Sequence, residues 1–202
     1  MTCDRPIDFW FDFASGYAYF AALEIEDLGR RVGRPARWRP YTLVTAFKAT
    51  GSRGLSSTPV KRDYARTDWH RIARLRGVPF ALPDHHPSVA LAATRVFYLI
   101  EERDADAAKR FARALFDAYF TRGIDSGNLD HVLEVAAALG LETEALAADA
   151  LAPGIKEKVK LISEQAVALG VFGSPFFRVD GEPFWGWDRM AMMEAWIERG
   201  GW

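Results

Sequence analysis

The sequence predicts an α/β protein whose two ends share a small sheet and whose middle is helical. Three observations support this fold class. Residues 7–41 have the pattern of strand, helix and strand, residues 155–200 that of helix, two strands and helix, and the middle has only helical signals. We therefore expect residues 1–45 and 154–202 to form one domain, with residues 46–153 as an inserted α-helical domain.

The N-terminal unit begins with a strand. Residues 7–13, IDFWFDF, place a large hydrophobic side chain at every second position. Residues 17–31 then carry hydrophobic residues at roughly helical spacing, Gly33 follows, and residues 36–41 alternate again. Strand, helix and strand within about 35 residues form a βαβ unit, which favours parallel pairing of its strands.

The middle of the chain contains five predicted helices. The first opens with Thr58 as N-cap and Pro59 at the first helical position. The others show cap residues, alanine-rich interiors or a terminal glycine. The predicted helices span residues 58–77, 88–103, 104–123, 128–140 and 142–151.

The C-terminal unit follows a different order. Hydrophobic residues recur with a helical period over residues 155–169. Residues 176–179 and 183–185 then flank the Asp-Gly pair that begins at Asp180, which indicates a hairpin because both turn residues tolerate positive φ. A last helix is predicted to begin at Asp188 as its N-cap.

Composition excludes several function classes. The 26 basic and 27 acidic residues leave a net charge of -1, so we expect no nucleic-acid partner. Cys3 is the single cysteine, which excludes an intramolecular disulfide, and the absence of a long apolar run predicts a cytoplasmic protein with no membrane span. We expect no metal site, because no zinc-ligand spacing connects the histidines His70, His85, His86 and His131.

A βαβ unit joined through a helix to a ββα unit resembles the thioredoxin fold, and the helical insertion resembles its DsbA-like branch. Redox members of that fold carry Cys-x-x-Cys at the first strand-to-helix turn, where this chain has Ser15-Gly16-Tyr17-Ala18. A serine hydroxyl at a helix N-terminus can hold another molecule's thiolate, because N–H groups and the helix dipole favour an anion there. Ser15 could equally serve only as a helix N-cap.

The thioredoxin fold also has a cis-proline before its third strand, and Ser174-Pro175 is the candidate here. A cis bond would leave the N–H and C=O of Ser174 exposed to an extended peptide such as glutathione. An ordinary trans turn is the alternative.

Four motifs, FDFASGY, FKATGS, GVFGSPFF and FWGWDR, resemble those of the 2-hydroxychromene-2-carboxylate isomerases and the related kappa-class glutathione transferases. The resemblance implies that Ser15 is catalytic and engages the thiol of glutathione, the implied cofactor. It implies glutathione binding by Ser174, Pro175, Trp185, Gly186, Trp187 and Asp188. It places Lys48, Tyr17 and Ser52 toward the organic substrate, with Phe11 and Phe80 as further aromatic walls, and it implies a homodimer.

This chain departs from the family pattern at four positions. Two of them, Gly16 and Ala18, lie in the turn, which reads Ser-Gly-Tyr-Ala where the family more often has Ser-Pro-Tyr-Ser. Gly16 stands where proline is more frequent, which predicts a looser turn because the preset φ of proline is lost. Ser52 replaces the usual asparagine, and Trp187 stands where a polar residue is frequent. These two changes bear on the identity of the organic substrate.

The expected function is a glutathione-dependent isomerase of 2-hydroxychromene-2-carboxylate or a related aromatic α-keto acid, acting by reversible thiolate addition. Lys48 would pair with the substrate carboxylate, although it could also be an ordinary solvated lysine. The alternatives are a kappa-class-like glutathione transferase or peroxidase, and a redox-inactive thioredoxin-fold module that binds peptides without catalysis.

Overall fold

The computed structural model describes residues 5–202, so Cys3 lies outside the described residues. The N-terminal elements are β1 (Ile7–Phe11), α1 (Gly16–Arg31) and β2 (Ala36–Pro40). The helices that follow are α2 (Leu43–Thr50), α3 (Lys61–Arg76), α4 (Leu91–Glu101), α5 (Ala105–Asp117), α6 (Leu129–Ala138), α7 (Thr143–Asp149) and α8 (Pro153–Ala168). The chain ends with β3 (Phe176–Val179), β4 (Glu182–Trp185) and α9 (Met190–Arg199). None of the helices within residues 5–202 combines the length and hydropathy needed to cross a lipid bilayer.

The four strands form one mixed sheet in the order β2-β1-β3-β4. β1 and β2 pair in parallel, whereas β3 is antiparallel to both β1 and β4. The β3–β4 hairpin turns on Asp180 and Gly181, which have φ values of 52° and 93°. The predicted βαβ unit, the Asp-Gly hairpin and the DsbA-like thioredoxin fold are thereby confirmed.

The hydrophobic core is continuous from the sheet into the helical block. The ring of Phe11 on β1 lies 6.4 Å from Phe97 on α4 and 5.4 Å from Phe116 on α5. Phe11 is fully buried by these contacts, so its predicted role as a wall of the substrate site is wrong. The proposed division at residues 45 and 46 stays a prediction, and α2 begins close to it at Leu43.

In the helical block, the predicted caps Asp104 and Asn128 are confirmed and the predicted cap Thr58 is wrong. The carboxylate of Asp104 accepts hydrogen bonds from the first turn of α5, and the side chain of Asn128 does the same for α6. Thr58 caps no helix, because its hydroxyl donates to the carbonyl of Gly54 and α3 begins only at Lys61. The helix predicted from residue 88 likewise begins later, at Leu91.

Two features near the site differ from the prediction. The short helix α2 follows β2, where no helix was predicted. Asp188 does not cap the last helix, since it lies within the 3-10 turn Trp187–Arg189 and pairs with Arg189 at 3.2 Å. The 3-10 turn moves the start of α9 to Met190, so the Asp188 carboxylate is not positioned as its N-cap.

Candidate active site

Ser15 lies between β1 and α1 and is the N-cap of α1. Its Oγ accepts a hydrogen bond from the N–H of Ala18 at 3.3 Å, while its own O–H donates to the carbonyl of Ser174 at 2.9 Å. The N–H of Ser15 donates to the carbonyl of Asp12. One hydroxyl therefore caps α1 and contacts the loop before β3. A role as helix N-cap thus does not exclude the predicted role of Ser15 in holding a thiolate.

The Ser174-Pro175 peptide bond is cis, as predicted. The carbonyl of Ser174 accepts the Ser15 hydroxyl, so it is not left fully open to a ligand as the sequence suggested. Within residues 5–202 no acceptor lies in range of the Ser174 N–H, which leaves this donor open beside Ser15. The carbonyl of Pro175 accepts the N–H of Gly186 at 3.0 Å and so joins the loop to the end of β4.

Asp12 organises this turn, although sequence reasoning did not select it. Its two carboxylate oxygens accept the N–H of Ala14 at 2.9 Å and that of Leu43 at 3.1 Å, and its own N–H donates to the Ser174 hydroxyl at 2.9 Å. Burial raises the pKa of Asp12, and the two backbone N–H groups partly offset that rise. In the sequence, the signal for this role is one acidic residue between two phenylalanines, Phe11 and Phe13, at the end of β1.

Trp69 on α3 holds the turn from the helical side. Gly16 is buried, and a Cβ on it would lie only 2.8 Å from Cε2 of the Trp69 indole. The ring of Tyr17 meets the same indole at 5.7 Å. Side-chain packing therefore occupies the space that a proline ring would need at residue 16. A tryptophan in a helix with many charged residues was the signal for this contact.

Tyr17 presents a ring rather than a free hydroxyl. Its O–H donates to Asp68 on α3 at 2.9 Å. Burial, the hydrogen bond to Asp68 and nearby negative charge, including that of Asp188, raise the pKa of Tyr17 well above its ordinary range. Tyr17 is therefore neutral at physiological pH, and it lies within electrostatic reach of Asp188.

The WGWD segment divides into two parts. The indole of Trp185 packs directly over Gly173, and Gly186 follows with a φ of 107°, so both lie beside the Ser174 loop. Trp187 instead turns inward, and its indole N–H donates to Glu24 on α1 at 3.0 Å. The structure thus brings Trp185 and Gly186 to the site, while the polar atom of Trp187 is already engaged.

The remaining predicted site residues lie on exposed surfaces. Asp188 is exposed, and its Oδ1 would lie 2.5 Å from a Cβ on Gly186. Lys48 lies in the last turn of α2 and Ser52 follows that helix, and within residues 5–202 neither side chain forms a hydrogen bond with Ser15. In the same part of the chain, no three His, Cys, Asp or Glu residues are grouped as metal ligands.

Comparisons with known proteins identify the family to which this chain belongs. A family model described as a DSBA-like thioredoxin domain matches residues 6–198. A 2-hydroxychromene-2-carboxylate isomerase of Sphingobium xenophagum is 31% identical over 195 residues, which cover 96% of this chain and 98% of that protein. The chain belongs to the 2-hydroxychromene-2-carboxylate isomerase family.

Two further comparisons place this family member among its relatives. The solved structure of a 2-hydroxychromene-2-carboxylate isomerase superposes with a TM-score of 0.85 at 27% identity, covering 96% of this chain and 94% of that chain. Glutathione S-transferase kappa 1 of Caenorhabditis elegans is 24% identical and covers 93% of this chain, which itself spans 88% of that protein. The relatives of this isomerase family therefore support an isomerase or glutathione-transferase-like activity.

Proposed function

We propose that this protein is a glutathione-dependent isomerase of 2-hydroxychromene-2-carboxylate or a related aromatic α-keto acid or hemiketal. The observation that carries the proposal is the position of the Ser15 hydroxyl, 2.9 Å from the Ser174 carbonyl at the N-terminus of α1. Isomerase relatives at 31% and 27% identity over most of the chain support the choice of reaction.

The residues around Ser15 fit a thiol-containing tripeptide. The N-terminus of α1 carries no acidic residue in its first turn, so its N–H groups and dipole favour an anion. The open N–H of Ser174 can donate to the carbonyl of an extended peptide. Glutathione, when bound, would supply the sulfur nucleophile that adds to the unsaturated substrate and leaves after bond rotation or ring opening.

Ser15 would stabilise the sulfur in its charged form. A hydrogen bond to a charged group contributes about 1.5–3 kcal/mol, and the neutral bond to Ser174 that is given up costs about 1 kcal/mol. The net gain of about 1.4 kcal/mol lowers a thiol pKa by about one unit from its ordinary ~8.5. At pH 7 the thiolate fraction would rise from about 3% to about 25%.

The organic substrate would bind on the α2 side of Ser15. The exposed ammonium of Lys48 would pair with the substrate carboxylate, and Ser52 and the ring of Tyr17 would contact the rest of the molecule. A homodimer in the cytoplasm, expected from the family resemblance and the composition, is part of this proposal.

A kappa-class-like transferase or peroxidase is the second candidate. The relative from Caenorhabditis elegans favours it, and the same thiol site would serve it. The redox-inactive peptide-binding module is the third, and the open Ser174 N–H is compatible with it. Release of a thioether product separates the transferase from the isomerase, and the lack of any turnover separates the binding module from both.

Calorimetric titration with glutathione, combined with the ultraviolet absorbance of the thiolate, tests the proposal. We expect Ser15→Ala to lower the bound thiolate fraction and the isomerase rate by about ten-fold. Ser15→Asp is the matched control for capping, because aspartate caps helices as well as serine but donates no proton. It should retain the helix cap and lose activity, because a carboxylate repels a thiolate. No glutathione binding at millimolar concentration, or unchanged turnover in Ser15→Ala, would refute the assignment.

A further inference from the structure

The side chains of Ser56, His86 and Tyr119 form a chain of two hydrogen bonds within the helical block. The Nδ1 atom of His86 lies 3.0 Å from the hydroxyl of Tyr119, and the Nε2 atom of His86 lies 2.8 Å from the hydroxyl of Ser56. Neither the predicted site nor the family motifs include any of the three residues. The burial of Tyr119 and His86 indicates which atom donates and which accepts in each of these two hydrogen bonds.

Tyr119 sets the direction of the chain. Its hydroxyl is completely buried and accepts the N–H of Ser88 at 3.2 Å. Burial raises the pKa of Tyr119, and the backbone N–H and side chain of Ser88, as donors to the same oxygen, offset part of that rise. The proton of the hydroxyl needs an acceptor, since an unsatisfied buried donor is costly, and Nδ1 of His86 lies in range at 3.0 Å. Tyr119 therefore donates to His86.

The His86 ring in turn donates a hydrogen bond to the Ser56 hydroxyl. Burial, followed by the nearby charges of Arg66 and His85, lowers the pKa of His86 to about 4, so the ring is neutral at physiological pH. A neutral imidazole that accepts at Nδ1 carries its proton on Nε2. It donates that proton to Ser56, whose own O–H then has no acceptor within residues 5–202.

The chain borders the Ser15 turn. The ring of His86 stands at 80° to the indole of Trp69, with 5.5 Å between the ring centroids. The same indole covers Gly16 and meets Tyr17, so His86 lies directly behind the wall of the predicted substrate site. Ser56 also belongs to the segment between α2 and α3, which contains the predicted substrate contact Ser52.

We propose that Ser56 is a substrate-binding residue whose hydroxyl, oriented by His86 and Tyr119, donates a hydrogen bond to a carboxylate oxygen of the organic substrate. The proposal rests on the function proposed above. His86 and Tyr119 are positioning residues in it, because they act through the Ser56 hydroxyl. The alternative is a purely structural role, in which the Ser56–His86 hydrogen bond holds the segment between α2 and α3 in place and Ser56 does not contact the substrate.

Equilibrium binding tests this role without turnover. The Kd of 2-hydroxychromene-2-carboxylate is measured by tryptophan fluorescence without glutathione, in Ser15→Ala protein to which Ser56→Ala, Ser56→Thr or Ser57→Ala is added. We expect Ser56→Ala to raise the Kd about ten-fold and Ser56→Thr to keep it within about two-fold. Ser57→Ala is the matched control, because Ser57 is exposed and its hydroxyl forms no hydrogen bond within the described residues. It should leave the Kd unchanged.

The direction of the chain has a separate test. Two-bond nitrogen–proton NMR at pH 7 should find the His86 proton on Nε2, and Tyr119→Phe should shift it toward Nδ1. A proton on Nδ1 in the unmutated protein, or equal Kd values for Ser56→Ala and Ser57→Ala, overturns the proposal. A structural role would instead weaken glutathione and substrate binding alike in Ser56→Ala. Failure of the unmutated protein to bind glutathione refutes the proposed function, whereas insensitivity to Ser56 with glutathione still bound refutes only this inference.

Discussion

Replacement of Gly16 by alanine tests whether Trp69 holds the Ser15 turn. The added Cβ would lie 2.8–2.9 Å from three atoms of the indole, whereas carbon atoms in contact normally lie about 3.5–4.0 Å apart. Overpacking of this kind costs about 1–3 kcal/mol. Alanine recovers about 0.4–1 kcal/mol, because it makes the unfolded chain less flexible than glycine does. We therefore expect Gly16→Ala to lower the free energy of unfolding by about 1 kcal/mol.

A double-mutant cycle isolates the contact. Trp69→Leu removes the indole, whose buried N–H has no acceptor within residues 5–202. In that background Gly16→Ala should stabilise the protein by about 0.4–1 kcal/mol, because only the gain from a less flexible unfolded chain remains. The coupling free energy of the two changes should thus be about 2 kcal/mol.

Urea denaturation followed by far-ultraviolet circular dichroism measures all four proteins. This signal is preferable to tryptophan fluorescence, since one of the changes removes a tryptophan. Equal effects of Gly16→Ala in both backgrounds would show that the indole does not press on residue 16. A stabilising Gly16→Ala in the unmutated background would lead to the same conclusion.

Two further predictions concern stability. Because the pKa of His86 falls from 6.5 to about 4 on folding, the unfolded chain binds more protons between these values, so stability should decrease as the pH falls from 6.5 to 4. The full pKa shift corresponds to about 3 kcal/mol of stability, and partial exposure of the ring reduces this to about 1–2 kcal/mol. His86→Phe should remove this contribution to the free energy of unfolding, as measured by urea titrations between pH 6.5 and pH 4. Tyr41→Phe should cost about 1–3 kcal/mol, since the buried Tyr41 hydroxyl donates to the Gly173 carbonyl at 2.7 Å. The exposed Tyr64→Phe is its control, and equal thermal midpoints for the two variants would contradict the assignment.

Local signals in the sequence predicted most of the fold. The alternation in β1, the caps Asp104 and Asn128 and the Asp-Gly turn each depend on a few adjacent residues, and the structure confirms all of them. Ser15 was found for the same reason, because a helix N-cap is a local feature. Asp188 was misassigned as a cap, since the 3-10 turn that contains it does not follow from the cap residue alone.

The contacts that complete the site join residues far apart in the chain. Asp12 reaches Leu43 and Ser174, and Trp69 covers Gly16. No local pattern specifies such pairs, because each depends on how the helical block packs against the sheet.

The sequence by itself determined the βαβ and ββα units, the fold family and the serine at the α1 N-terminus. Only the tertiary structure decided that Ser15 donates to Ser174, that Trp187 turns inward to Glu24 and that His86 connects Tyr119 to Ser56. The physical reason is the distance along the chain over which each kind of interaction acts. Backbone preferences and hydrophobic periodicity act over a few residues, whereas the pairing of buried polar groups is settled only when distant segments exclude water together.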